Sequence, residues 1–120
     1  MPSPNQHLGK TGEEIAEQFL QAQGYRSLAK NWHSRYGELD LIMEKDSEIV
    51  FVEVKLRSNL SFGHPEEMVS YTKMSKIKKT AEQYLDREAG REKFWRFDII
   101  AITLKGHDLD IDHFENVIQE

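Results

Sequence analysis

Apolar and polar positions alternate most clearly between Gly37 and Arg57, and that pattern predicts the element around which the chain is organised. Two runs rich in branched and aromatic residues, Leu39 to Met43 and Ile49 to Leu56, flank a polar centre at Glu44 to Glu48, which predicts a β-hairpin. Successive strand side chains point to opposite faces. Ile49, Phe51, Glu53, Lys55 and Arg57 therefore share one face and Val50, Val52, Val54 and Leu56 the other, while Glu38, Asp40 and Ile42 go together on the first strand. If the turn is two residues, Asp46-Ser47, Asp40 stands directly opposite Glu53; a four-residue loop keeps the facing, and an odd loop without a bulge puts Asp40 on the other face.

The remaining elements follow from helical spacing and from chain breakers. Met1 to His7 is polar with two prolines and is expected to form a flexible arm, taken as residues 1–8. Ile15, Ala16, Phe19 and Leu20 predict a helix from Gly12 with Gly24 as its stop. Tyr25 to Trp32 reads as a short strand leading into a turn at His33 to Gly37, with Trp32 a core residue. Ser58 to Pro65 is a loop placed to touch a substrate. Met74, Ile77, Ala81, Tyr84 and Leu85 give the apolar face of a second helix, from Ser70 or Thr72 to Ala89, stopped by Gly90. Trp95 to Leu104 reads as a buried strand, and Leu109 to Phe114 as a last strand with Asp108, Asp110 and Asp112 along a solvated edge. Together these elements make an α/β or α+β domain over residues 9–120, a mixed central sheet flanked by helices.

Composition narrows the function classes. At 120 residues, 38% hydrophobic and 31% charged, the chain suits one core. The absence of cysteine removes disulfides, thiol nucleophiles and thiolate zinc sites. No apolar run approaches the ~20 residues of a membrane span, and the first residues lack the pattern of a signal peptide, so a cytoplasmic protein is expected. A net charge of −5 argues against coating of duplex DNA, which depends on Lys and Arg neutralising phosphate. Lys73, Lys76, Lys78 and Lys79 nevertheless cluster, either as a solvated helix face or, with Arg57, as nucleic-acid contacts. Gly9-Lys10-Thr11 lacks the upstream glycine of a phosphate loop, since Pro4 stands there.

Asp40, Glu53 and Lys55 are charges inside apolar strands, where burial is costly unless each is compensated. Directly opposed Cβ atoms lie about 4.5–5.5 Å apart. Two carboxylates at that range repel unless a proton or cation lies between them, and a hard divalent cation with oxygen ligands fits. The alternative is a structural network of Lys, Glu and Asp. Glu13 has two readings by itself, the simpler being a favourable charge near the helix N-terminus. The five histidines are isolated and read as surface residues, and Asp98 reads as structural, paired with an Arg.

Asp40 followed by Glu53-x-Lys55 resembles the PD-(D/E)XK nuclease superfamily, with Leu39 where that pattern has its Pro. Gly9-x-x-Gly12-Glu13-x-x-Ala16, Asn31-Trp32, Gly37-Glu38-x-Asp40-Leu41-Ile42, Phe51-Val52-Glu53-Val54-Lys55-x-Arg57 and Arg96-Phe97-Asp98 are together similar to the YraN-type family of small bacterial proteins, over roughly residues 8 to 118. The resemblance implies a restriction-endonuclease-like fold and a Mg²⁺-dependent (or Mn²⁺-dependent) endodeoxyribonuclease. It assigns Glu13, Asp40 and Glu53 to the metal, Asp40, Glu53 and Lys55 to catalysis, and Lys73 to the neighbourhood of the site. Without a separate sequence-reading module, the expected substrate is branched, flapped or single-stranded DNA. Symmetric cutting of a junction would require a homodimer. The competing expectation is a non-catalytic nucleic-acid-binding or assembly factor that keeps the fold.

Overall fold

Asp46 and Ser47 both take positive φ, 52° and 66°, which is the type I′ geometry that matches the twist of two paired strands. The central hairpin therefore closes as its sequence predicts, joining β2 (Gly37–Lys45) to β3 (Glu48–Arg57) with Lys45 opposite Glu48 and the register held to Leu41 opposite Val52. The computed structural model describes residues 4–57, 70–90 and 93–118, and the side chains of these except at 4–10 and 89. The expected substrate-contacting loop at Ser58 to Pro65 lies outside the described residues.

Around the hairpin, β1 (Arg26–Ser34), β4 (Trp95–Lys105) and β5 (Asp108–Phe114) complete a five-stranded sheet in the order β1-β2-β3-β4-β5. Among the described residues only β3 and β4 run parallel, because the chain crosses between them through α2 (Tyr71–Tyr84). The sheet is mixed, as expected, and the β3–β4 centre is buried on both sides.

Strand alternation sorts the core into two layers. Leu41, Met43, Val50, Val52, Ile100 and Ile102 meet Ala16 and Leu20 of α1 (Pro4–Gln21). Ile42, Ile49, Phe51, Phe97 and Ile99 meet Ile77, Ala81 and Tyr84 of α2. Burying each large side chain contributes about 1.5–3 kcal/mol, so the two helices are held mainly by these faces.

Helix α1 starts at Pro4, well upstream of Gly12, so most of the stretch expected to be an arm has helical backbone. Proline suits a first helical position, where its missing N–H would have no partner. A Cβ on Gly12 would lie 3.0 Å from Leu56 Cδ2, so α1 presses tightly on the end of β3 and delivers Glu13 there. Ser70 caps α2 by accepting from the Lys73 amide at 3.2 Å. The helix continues as a π-helical turn over Leu85–Ala89 and stops at Gly90, φ 91°, which matches the expected end. Among the described residues no helix is long and apolar enough to cross a membrane.

Candidate metal and phosphate site

The hairpin ladder ends at Leu41 and Val52, one pair short of Asp40 and Glu53. In place of a backbone pair, the Val54 amide donates to Asp40 Oδ2 at 2.9 Å, so the carboxylate itself closes the strand end. Glu53 and Lys55 project on the face covered by α2, as alternation from Ile49 and Phe51 requires. There Lys73 Nζ lies 2.5 Å from Glu53 Oε1, and Lys55 Nζ lies 3.6 Å from the same oxygen. Glu53 Oε2 is buried and has no hydrogen-bond partner. Leaving such an atom bare costs about 1–3 kcal/mol or more for a charged group.

The charges around Asp40 are one-sided. Its carboxyl is pushed up to about 6, first by burial and then by Glu13, Glu53 and Glu38, with the Val54 hydrogen bond opposing the shift. Glu13 is raised as well, chiefly by burial and then by Glu38, while a hydrogen bond from Asn31 and the charge of Lys30 work against this. Glu14, the neighbour of Glu13, is exposed. Lys55 is lowered by burial and by Lys73, which together outweigh Glu53. Burial alone would lower Lys73, but its bond to Glu53 more than compensates and raises it.

The structure thus couples Glu13, Asp40, Glu53, Lys55 and Lys73 at the open end of the hairpin. Two contributors escaped the sequence reading. Glu38 acts on both Asp40 and Glu13, and its signals were its place on the Asp40 face of the strand and in the Gly37-Glu38-x-Asp40 motif. Asn31, in the left-handed region at φ 51°, bonds Glu13. An Asn tolerates that conformation better than most residues, and the Asn31-Trp32 pair was the available signal. Lys76 and Lys79 are exposed on α2 and Lys78 is half-buried. Arg57 is different: it is buried, donating from Nε to Thr103 Oγ1 and from Nη2 to Asp112 Oδ2, both at 2.6 Å. It ties β3 to β4 and β5, with its guanidinium engaged inside the protein.

A second cluster sits on the α1 side. Asp98, His113 and Glu115 bring ligand atoms within 4.8 Å of one another, and among the described residues they are the group of three so gathered. Glu13, Asp40 and Glu53 are spread more widely. His113 is therefore no surface residue. Its Nε2 lies 2.7 Å from Asp98 Oδ2, and its ring meets the edges of Phe19 and Tyr25. The expected Arg partner of Asp98 is Arg96, whose Nε donates to both carboxylate oxygens at 3.0 and 3.2 Å. Its other nitrogens reach Glu48 at 2.8 Å and the Tyr25 hydroxyl at 2.6 Å. The Asn116 amide adds a further bond to Asp98 at 2.9 Å. A cation entering here would meet a guanidinium already in place.

The donor sets of the two clusters differ in what they lack. Three carboxylates with a bare buried oxygen fit a hard divalent cation, whereas Asp98 has both oxygens engaged.

Comparison with known proteins bears on family alone. The model of the uncharacterised protein family UPF0102 matches residues 12–102. The chain is 39% identical over 112 residues to a UPF0102 protein of Myxococcus xanthus, covering 93% of this chain and 89% of that one. It is 45% identical over 112 residues to a UPF0102 protein of Syntrophomonas wolfei, with coverage of 93% and 97%. The solved structure of Pyrococcus furiosus SfsA in complex with Ca²⁺ is similar at a TM-score of 0.39 and 15% identity, over 92% of this chain and 63% of that chain. A likeness that distant decides nothing about this chain.

Proposed function

We propose that this chain, which belongs to the uncharacterised protein family UPF0102, is a cytoplasmic, metal-dependent endonuclease of PD-(D/E)XK type that hydrolyses phosphodiester bonds in branched, flapped or single-stranded DNA. The observation that carries the reading is Glu53, whose Oε1 faces two lysines while its buried Oε2 stays bare, near the Asp40 carboxyl that burial and then the neighbouring acids push up to about 6. A fold stabilised by that site alone would have satisfied the atom or replaced it. Asp40 and Glu53, with Glu13 directly or through water, would hold Mg²⁺ or Mn²⁺. When bound there, the cation would supply Lewis acidity toward phosphate and a lower pKa for bound water.

The chain's own residues account for the rest. Asp40 stays fixed by the Val54 amide and presents its other oxygen to the site. Lys55 Nζ supplies positive charge where the transition state gains negative charge, an effect worth about 10²–10³ in rate for a well-placed donor. Burial and Lys73 make it hold its proton less tightly than an ordinary lysine. Lys73 balances Glu53 while no cation is present.

One observation favours a second reading, a nucleic-acid-binding factor without turnover. Lys73 Nζ is already bonded to Glu53, and the three acids are not drawn together. Cleavage assays on single-stranded, flapped and junction DNA with Mg²⁺ or Mn²⁺, against EDTA, separate the two. Lys55→Ala is expected to cut at least about a hundredfold more slowly with DNA binding nearly unchanged. Equal cleavage by Lys55→Ala and parent would remove Lys55 from the chemistry. Metal-independent inactivity of the parent across the panel would favour the binding factor. A symmetric cut in a junction would call for a homodimer.

A further inference from the structure

Of the fourteen Lys and Arg side chains described, eight pair with carboxylates, among them Arg26 with Glu44, Lys30 with Glu17, Lys105 with Asp110, and Arg57 and Arg96 inside the sheet, while Lys45 and Lys78 pair with none among the described residues. Along the seam between α2 and the edge strand β1 the pattern changes. Arg35, Lys76, Lys79 and Arg87 have no carboxylate within ion-pair distance among the described residues. All four are exposed. Three of them cover aromatic rings instead. Arg35 Cζ and Lys79 Nζ lie 4.9 and 5.6 Å from the centre of the Tyr36 ring, and Arg87 Cζ lies 5.9 Å from that of Trp32.

This grouping is built by the fold. Arg35 and Tyr36 form the tip of the β1–β2 hairpin, where the Ser34 hydroxyl accepts from the Tyr36 amide at 3.0 Å. The tip abuts α2: a Cβ on Gly37 would lie 3.4 Å from Thr80 Oγ1, one residue from Lys79. Trp32 is held from below by the Tyr84 edge, ring centres 5.4 Å apart, so it serves as a fixed platform for Arg87. Three residues span about 4.5 Å of helix. Stepping from Lys73, bonded to Glu53, through Lys76 to Lys79 leads in about 9 Å from the candidate site to the Tyr36 tip.

We infer that the α2–β1 seam is a single-stranded nucleic-acid track, with Lys76, Lys79, Arg35 and Arg87 following the phosphates and the Tyr36 ring taking a base. The inference rests on the nuclease reading for its substrate class and adds the path the strand takes away from the site. Unpaired cations alone would serve any polyanion. A ring flanked by two cations is what distinguishes a single strand, since an unpaired base can take a cation's place on the ring while a paired one cannot reach it.

Binding of a fluorescein-labelled oligothymidylate of about 16 nucleotides in EDTA tests this apart from cleavage, with oligouridylate and a blunt duplex as companion arms. Arg35→Gln with Lys79→Gln should weaken single-strand binding and flatten the dependence of log affinity on log salt by about 1.4, at about 0.7 per lost contact. Tyr36→Leu should weaken it about five- to a hundredfold, leave the salt slope unchanged and spare the duplex. Thermal melts of each variant identify any that fail to fold, and Lys76→Gln with Arg87→Gln then gives an independent pair of contacts. Equal weakening for DNA and RNA fits the track and makes it blind to the sugar. Parent-like affinity in the folded charge variants, or a parent that binds no single strand in EDTA, overturns the track and leaves the nuclease reading to its cleavage assay. A parent that cleaves nothing while these variants lose binding does the reverse.

Discussion

Asp98 and Glu53 are both carboxylates set against the sheet beside basic side chains, one on the α1 face and one on the α2 face. Asp98 is 0% exposed, and its two oxygens receive Arg96, His113 and the Asn116 amide. Glu53 keeps one oxygen for two lysines and leaves the other bare. The tighter cluster is thus the one with least left to offer a ligand. Proximity of ligand atoms points to Asp98, His113 and Glu115, while unmet bonding capacity points to Asp40 and Glu53. A buried network that is complete specifies structure, and one that is incomplete is where binding energy can be released.

The largest effect that sharpens this contrast should come from Arg96→Ala. Removing one partner of a buried pair leaves an uncompensated charge, at about 3–5 kcal/mol. Urea unfolding should show that loss, and a change within about 0.5 kcal/mol would mean that Asp98 is not held by Arg96.

Next in size, Asp40→Asn should stabilise the metal-free protein above pH 6. Folded Asp40 holds its proton up to about 6, against an ordinary 3.8, so the native state binds more protons and loses stability as pH rises through that window. Asn carries no such penalty and can still accept from Val54. The expected gain is about 2–3 kcal/mol at pH 8 and near zero at pH 3.5. Parallel unfolding midpoints from pH 3.5 to 8 would contradict it. For the same reason, metal affinity of the parent should fall as pH drops below about 6.

A smaller effect concerns how locally the site is supported. Ser70→Ala removes the acceptor of the Lys73 amide and should cost about 1 kcal/mol in thermal unfolding. His113 and Asp98 depend on β4 and β5 and should be unaffected, so amide exchange should quicken at the start of α2 and not in those strands. Uniform exchange would deny the site side its looser support.

How much of this was legible in the sequence follows from the range of each interaction. The hairpin and the facing of Glu53 and Lys55 are set within a few residues, and the two-residue Asp46-Ser47 turn is the one of the loop lengths considered that the structure adopts. The Gly90 stop and the Arg partner of Asp98 were read correctly. The helical start at Pro4 was missed because residues 4–8 carry little apolar periodicity. His113 was read as exposed because its burial depends on Phe19 and Tyr25, which reach it from some ninety residues earlier in the chain, a contact that no local pattern prints. Arg57 shared a face with Glu53 and Lys55 and so resembled a site residue. Its parallel neighbour Thr103, reached only after the α2 crossover, turns it to the interior.

Calorimetric titration of Mn²⁺ into the parent, Glu53→Gln and His113→Gln tests the contrast most directly. Binding by the parent, lost in Glu53→Gln and retained in His113→Gln, is the expected result. Binding retained in Glu53→Gln and lost in His113→Gln would place the metal at Asp98 and contradict it.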